Sequence, residues 1–269
     1  MTRDTRTPSL PQGYGGAAIG MHRALHNWTF RPRSALLGGL ITLVFMGLYV
    51  LAYPWLLQLW EVILDASVTW LHLGVKVRHW PVVWALGSEL SVDRLVLAGP
   101  MPVAPMWSLA LQAALAIVAW ALLKRLREAW MPVAYALRLL LLLYLVSLGY
   151  FAWWADSFPY RLADHTRDIF AFNVAVQCLA PLVLGLTLFP LVSDHLHRVG
   201  ACLVIQGYFI LTLPFKMLAH TWLATHIGAV SLPLLYLAFG PVLDVLLMVA
   251  LFSWVATWFT SPDIDRDQD

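Results

Sequence analysis

The sequence predicts an all-α integral membrane protein, a bundle of about six transmembrane helices with a small extramembrane insert. Of the 269 residues, 61% are hydrophobic and 12% are charged, whereas soluble domains carry about a quarter charged residues. The apolar residues also form runs that reach the roughly 18 residues expected of a spanning helix. Most of the 14 tryptophans fall near the ends of these runs, where aromatic rings meet lipid head groups.

Six segments are predicted to cross the bilayer, and the rest of the chain divides around them. The predicted spans are residues 34–57, 106–123, 132–154, 168–192, 200–222 and 232–259. Residues 1–33 form an N-terminal segment in which 16–33 could lie along the interface as an amphipathic helix. The membrane domain covers 34–259, and an acidic tail covers 260–269.

Between the first two spans lies an insert, residues 58–104, that interrupts the apolar pattern. Glu61, Asp65 and His72 predict that 56–76 is a helix lying on the membrane surface. Prolines and glycines punctuate the remainder, and 90–97 predicts one short strand. An insert of this length rarely builds a sufficient core by itself. We therefore expect it to pack on the lipid interface or on another membrane or envelope protein.

The distribution of basic residues predicts the orientation of the chain. Five arginines lie in the N-terminal segment, and Lys124, Arg125 and Arg127 follow the second span, whereas the insert mixes basic with acidic residues. Since short cytoplasmic loops are rich in Lys and Arg, both termini are predicted to be cytoplasmic and the insert periplasmic, in a cell inner membrane. The basic residues form no stripe, so nucleic acid is not an expected partner.

Three charged residues lie inside predicted spans, away from the residues that begin and end them, where each costs at least about 2.5 kcal/mol and needs a structural or functional reason. These are Arg138, Lys216 and Asp244. Arg138 is near enough to the cytoplasmic end of its span to reach the head groups. Lys216 and Asp244 lie on consecutive antiparallel spans. Their expected depths differ by roughly 9 Å, so the sequence leaves their pairing open.

Uncharged polar residues recur at helical spacing beside these charges. Thr212, Lys216 and His220 are four apart and share one helix face, and so do Asn173 and Gln177. Such faces should meet protein or water rather than lipid. They indicate either hydrogen bonding between helices or a pathway for a solute.

The sequence predicts no cofactor, no metal site and no catalytic group. His195 and His197 are expected in a loop, and His220 and His226 point in different directions on one helix, so a haem site between facing histidines is not indicated. No compact His and Cys spacing suggests a metal. A nucleotide-binding loop and a catalytic triad are also missing from the sequence pattern.

One set of residues resembles the exosortase family of membrane transpeptidases, which pairs a cysteine with a later arginine and histidine. Cys178 lies in the fourth predicted span, and Lys216 and His220 follow in the fifth. The chain departs from the family at Lys216, where an arginine is expected, and the segment VQCLAP at 176–181 lacks the glycine-containing motif. The resemblance implies a thiol enzyme centred on Cys178.

The first functional hypothesis is a non-enzymatic inner-membrane subunit that anchors or assembles an envelope complex. The second is a transporter or channel-like protein that uses Lys216, His220 and Asp244, and the third is the thiol enzyme. The lipid bilayer and other membrane or envelope proteins, bound through residues 58–104, are the expected partners. Homo-oligomerisation is left open.

Overall fold

A computed structural model describes residues 32–83, 91–102, 104–125, 130–187 and 195–257. The interfacial helix predicted before residue 32 and the acidic tail 260–269 lie outside the described residues. The helices and strands are α1 Pro32–Trp70, β1 Lys76–Val83, β2 Ser91–Ala98, α2 Met106–Leu123, α3 Met131–Trp154, α4 Leu162–Thr187, α5 His195–Ile227, α6 Leu232–Phe239 and α7 Pro241–Thr257.

The described part of the chain contains six helical spans that are long and apolar enough to cross a membrane. Five of them correspond to α1 to α5, and the sixth combines α6 and α7, which are separated at Gly240. This arrangement is compatible with a multi-pass membrane protein and confirms the predicted helical bundle. The hydropathy pattern predicted each of the six spans, because an apolar run of about 18 or more residues is typical of a membrane helix.

The ends of α4 and α5 differ from the predicted boundaries. α4 begins at Leu162 rather than 168, and α5 runs from His195 to Ile227 rather than from 200 to 222. His195 and His197 therefore lie in the first turn of α5, and the prediction that they occupy a loop was wrong. Polar side chains at helix ends are compatible with the helix while lowering the local hydropathy, so hydropathy underestimates helix length.

α4 and α5 form the centre of the bundle. In their most apolar stretches, 39% of α4 and 50% of α5 is buried inside the protein, compared with 11–17% for the other four spans. Buried polar residues accordingly concentrate on these two helices, because that is where a polar side chain avoids lipid.

The first helix is much longer than predicted. α1 is a single helix of 39 residues, about 58 Å long at 1.5 Å per residue, whereas the hydrocarbon core of a bilayer is about 30 Å thick. The predicted separate surface helix at 56–76 is therefore wrong, because 56–70 continue α1. Trp60 is 1% exposed and Leu64 is fully buried, so this part of α1 is held by packing and not by an interface.

Two strands follow α1 and form an antiparallel hairpin, in which Lys76 pairs with Ala98 and Val83 with Ser91. The sequence predicted one strand at 90–97. β2 confirms it, but β1 was missed, because its alternation is interrupted by charged residues and Pro81. Pro81 is tolerated in β1 because a two-stranded sheet has only edge strands.

The inner face of the hairpin packs on helices of the same chain. Leu95 and Leu97 are fully buried in a core with Trp60, Leu162 and Phe170. Thr166 on α4 accepts a hydrogen bond from the Leu97 amide at 3.0 Å. The insert thus obtains its core from α1 and α4 of the same chain, rather than from the lipid interface or another protein as expected.

Candidate functional site

The sixth span is broken at Gly240, between α6 and α7. α6 ends at Phe239 and α7 begins at Pro241, with Gly240 at φ −87° and ψ −122° between them. Pro241 has no amide hydrogen, so the carbonyl four residues earlier lacks its usual helical donor. A side chain at 240 would collide with the main-chain carbonyl of Tyr236. The break therefore requires glycine at this position.

We expect Gly240→Ala to destabilise the protein by about 1–3 kcal/mol, the usual cost of forcing an extra methyl group into a packed site. Gly39→Ala on α1 is the matched control, because a Cβ there meets no atom within 4 Å. Unfolding in mixed micelles with increasing dodecyl sulfate measures both. Equal stability of the two variants would contradict the steric requirement at the break.

Lys216 on α5 and Asp244 in the first turn of α7 make an ion pair at the break. The Lys216 Nζ to Asp244 Oδ2 distance is 2.6 Å, and Nζ also donates to the Gly240 carbonyl at 3.1 Å. The side chains are 11% and 3% exposed. An ammonium and a carboxylate in contact at this depth neutralise each other, which is the condition for keeping charges away from water.

The longer α5 explains why these two residues meet. Lys216 precedes Gly228 by 12 residues and Asp244 follows it by 16, a difference in depth of about 6 Å rather than 9 Å. The break at Gly240 and the length of the lysine side chain close the remaining distance.

A second polar group adjoins the ion pair from α4. Asn173 is fully buried and interacts with Asp244, although its amide nitrogen makes no hydrogen bond of normal geometry among the described residues. Gln177 donates to Asn173 Oδ1 at 2.6 Å and to the Phe209 carbonyl at 3.0 Å. Tyr49 on α1 donates to Gln177 Oε1 at 2.7 Å. These bonds join α1, α4 and α5, as expected of polar side chains between membrane helices.

His220, one turn after Lys216 on α5, contacts a histidine that the sequence analysis did not select. His220 Nδ1 lies 3.0 Å from His165 Nε2, and the two rings stack with centroids 5.3 Å apart. His165 was missed because its segment was predicted to precede α4. With α4 beginning at Leu162, His165, Asn173 and Gln177 share one face at spacings of eight and four. This helical spacing is the feature of the sequence from which His165 could have been selected as a member of the polar face.

A surface group at the start of α4 lies next to His165. Tyr160 donates to Asp168 Oδ2 at 2.9 Å, and its ring meets that of His165 edge to face. Burial, together with the hydrogen bond and the negative charge of Asp168, raises the pKa of Tyr160 above its ordinary value of 10. Tyr160 therefore stays protonated and continues to donate to Asp168.

A cavity of about 320 Å³ lies between α5, α6 and α7 beside the ion pair. Its polar lining includes Thr212, Lys216, His220 and Asp244. The predicted polar stripe of α5 therefore faces protein and this cavity. Apart from Tyr208, the rest of the lining is apolar. A mostly apolar pocket with a few convergent polar groups is the usual form of a small-molecule site.

Arg138 lies away from this cluster. Its Nη2 donates to the Leu123 carbonyl at the end of α2 at 2.9 Å, and its guanidinium lies over the Tyr135 ring. Arg138 thus joins the adjacent ends of α2 and α3, and this contact accounts for a basic residue at that depth.

The two cysteines are unpaired, with Cys178 partly exposed and Cys202 buried. In the described part of the chain, no hydrogen bond or ion pair connects Cys178 to Lys216 or His220, which belong to the ion-pair cluster. No group of three His, Cys, Asp or Glu residues that could hold a metal occurs in the described ranges.

We expect Cys178→Ala to leave folded yield and function unchanged, because among the described residues no cation or base is bonded to the thiol, and a thiolate nucleophile requires one. Folded yield is measured by size-exclusion chromatography in detergent and activity by the flux assay described below. Loss of activity at normal folded yield would support the thiol-enzyme hypothesis instead.

No family model, curated protein or solved structure matches this chain. The exosortase resemblance therefore has no support beyond the three residues that suggested it. The class that the fold and the buried polar cluster support is a multi-pass membrane protein, and any narrower assignment has to be argued from the cluster itself.

Proposed function

We propose that the protein is a membrane transporter whose solute site is formed by Lys216, Asp244 and His220 at the break in the sixth span. The observation that carries this proposal is the contact between a buried ion pair and a discontinuous helix. Lys216 donates to the carbonyl of Gly240 at the break, and His220 interacts with the carbonyl of Phe239 just before it. Transporters commonly build their solute sites from such broken helices.

A purely structural ion pair would also join α5 to α7. Two features favour a functional role in solute binding over a purely structural role. Backbone groups at a proline break are ordinarily satisfied by uncharged groups such as water or hydroxyls. The Gly240 carbonyl also accepts a hydrogen bond from the Asp244 amide at 3.3 Å, so an ionisable side chain on it is more than the backbone requires. The cluster also lines a cavity instead of being sealed by apolar packing. Ionisable residues facing a cavity inside a membrane are typical of solute pathways.

The transporter proposal is tested with purified protein in liposomes that enclose a pH-sensitive dye. Carboxylic acids, amines and sugars are added one class at a time, and proton flux is recorded. We expect one class to give saturable flux that is lost in the Lys216→Met, Asp244→Leu double variant. His226→Gln, at the exposed end of α5, is the control and should behave as the native protein. If no class produces flux, or if the double variant is fully active, the transporter proposal is wrong.

For the orientation, we propose that both termini are cytoplasmic and that the hairpin lies outside the inner membrane. Six crossings place the two ends on one side, and the excess of basic residues in the N-terminal segment and near Lys124 favours the cytoplasm. In a cysteine-free background, His79→Cys should react with an impermeant maleimide in intact cells, whereas Arg125→Cys should react only after permeabilisation. The opposite labelling pattern would reverse the orientation.

The second candidate function is an anchoring subunit of an envelope complex. It is favoured by the outer surface of the hairpin and the end of α1, where Trp80 is 49% exposed and Trp70 is 79% exposed. Exposed aromatic residues of this kind are enriched at protein interfaces. Affinity purification in mild detergent tests it: a constant set of partner proteins that is lost in a Trp70→Ala, Trp80→Ala variant would support it, and purification without partners would contradict it.

A further inference from the structure

The cavity beside the ion pair opens sideways, toward the surface of the bundle that meets lipid. Phe215 and Phe239 line it and are 62% and 41% exposed. In contrast, Lys216 and Asp244 are 11% and 3% exposed at their side chains and form its polar end. In a membrane domain, exposed apolar side chains at this depth face hydrocarbon. A ligand that reaches Lys216 through this opening therefore comes from the bilayer and carries an apolar part.

Lys216 offers such a ligand a hydrogen-bond donor at the polar end of the cavity. An ammonium has three hydrogen-bond donors, and two of them are directed at Gly240 and Asp244. Within the described ranges, no acceptor takes the third donor. The ligand therefore needs an acceptor oxygen, and a charged oxygen makes the stronger bond to an ammonium.

Charge balance then selects a carboxylic acid. A carboxylate pays a large cost to cross hydrocarbon, whereas the neutral acid does not. After the acid reaches the cluster, its O–H bond breaks, its proton bonds to the Asp244 carboxylate, and the new carboxylate accepts from Lys216. The cluster holds one positive and one negative charge before and after this exchange.

A phosphate monoester fits less well, because it carries close to two negative charges and the cavity lining contributes a single lysine. Arg138, the arginine of α3, is bound to Leu123 at the end of α2 and does not line the cavity.

We infer that the cavity between α5, α6 and α7 binds a long-chain carboxylic acid taken from the surrounding lipid, with its carboxylate on Lys216 and its chain against Phe215 and Phe239. This inference rests on the proposed transporter function, for which it names the solute. The Asp244 carboxyl holds the proton that the acid gives up.

Palmitic acid labelled with ¹³C at the carboxyl tests the inference in phospholipid nanodiscs that contain the purified protein. The carbon shift distinguishes COOH from COO⁻. We expect a saturable, ionised pool of one acid per protein that excess hexadecanol does not displace. The Lys216→Met, Asp244→Leu variant should bind about tenfold more weakly or worse, because it loses a charge-assisted hydrogen bond. Ala219→Trp, which fills the cavity without changing the ion pair, should also abolish binding. His226→Gln should bind normally.

Displacement by hexadecanol at equal concentration would overturn the inference, since an ordinary lipid chain would then suffice. That measurement uses the native protein, so it decides the question even if the Ala219→Trp variant does not fold. If palmitic acid does not bind while another solute gives flux in liposomes, the transporter proposal stands and the ligand class is wrong. If palmitic acid binds as expected but nothing is transported, the site is correct and the transporter proposal fails.

Discussion

Replacing Lys216 by Met or Asp244 by Leu is expected to lower the free energy of unfolding by about 3–5 kcal/mol in each case, because each change leaves one buried charge without its partner. The double variant should recover most of this loss, since it removes both charges together. Folded yield in detergent and unfolding in dodecyl sulfate micelles measure the three variants.

The matched control for this cycle is the ion pair between Asp164 and Arg167 at the start of α4. Its nitrogen to oxygen distance is 3.4 Å and its side chains are about one third exposed, so Asp164→Asn should change stability by less than about 1 kcal/mol. If the losses of unfolding free energy in Lys216→Met and Asp244→Leu simply add in the double variant, the two residues do not act as a pair. A double variant that folds but gives no solute flux in liposomes would show that the ion pair is required for transport.

Trp60→Ala is expected to cost about 3–5 kcal/mol, the range for removing a large aromatic side chain from a core. Trp60 is 1% exposed, donates to the Ile210 carbonyl at 2.9 Å, and its ring meets Phe170 at 5.8 Å between centroids. Trp70→Ala is the control on the same helix. Trp70 is 79% exposed, and its removal should change stability by about 0.5 kcal/mol or less.

Comparing Trp60→Ala with Trp70→Ala tests whether residues 56–70 form a surface helix, as the sequence predicted, or continue α1 into the core. A surface helix would leave both tryptophans in a similar environment, and their replacement would then have similar effects. A large loss of stability in Trp60→Ala together with a small loss in Trp70→Ala is expected only if α1 continues into the core beneath the hairpin.

Several features of the protein followed from local sequence. The six spans were predicted because an apolar run of that length forms a helix whatever its neighbours are, since the bilayer requires every backbone group to be bonded within the segment. The polar faces of α4 and α5 were predicted from periodicity, because residues four apart lie on one side of a helix. Arg138, Lys216 and Asp244 were selected as charges inside predicted spans. Asn173, Gln177 and His220 were selected by their four-residue spacing.

The partners of those residues could not be predicted, because contacts between helices depend on exact helix ends and on bends. The pairing of Lys216 with Asp244 depends on the extension of α5 to Ile227 and on the break at Gly240. His165 could not be placed beside His220 while α4 was expected to begin at 168. Hydropathy is insensitive to both boundaries, since polar residues at a helix end look the same as polar residues in a loop.

By itself, the sequence determined the class of protein, the number of spans and the helix faces that carry polar groups, because these depend on composition and periodicity within single segments. Only the tertiary structure decided that Lys216 meets Asp244, that His165 meets His220, and that the hairpin takes its core from α1 and α4. Each of these contacts joins residues 28 or more positions apart, and a local pattern carries no information on how distant segments align.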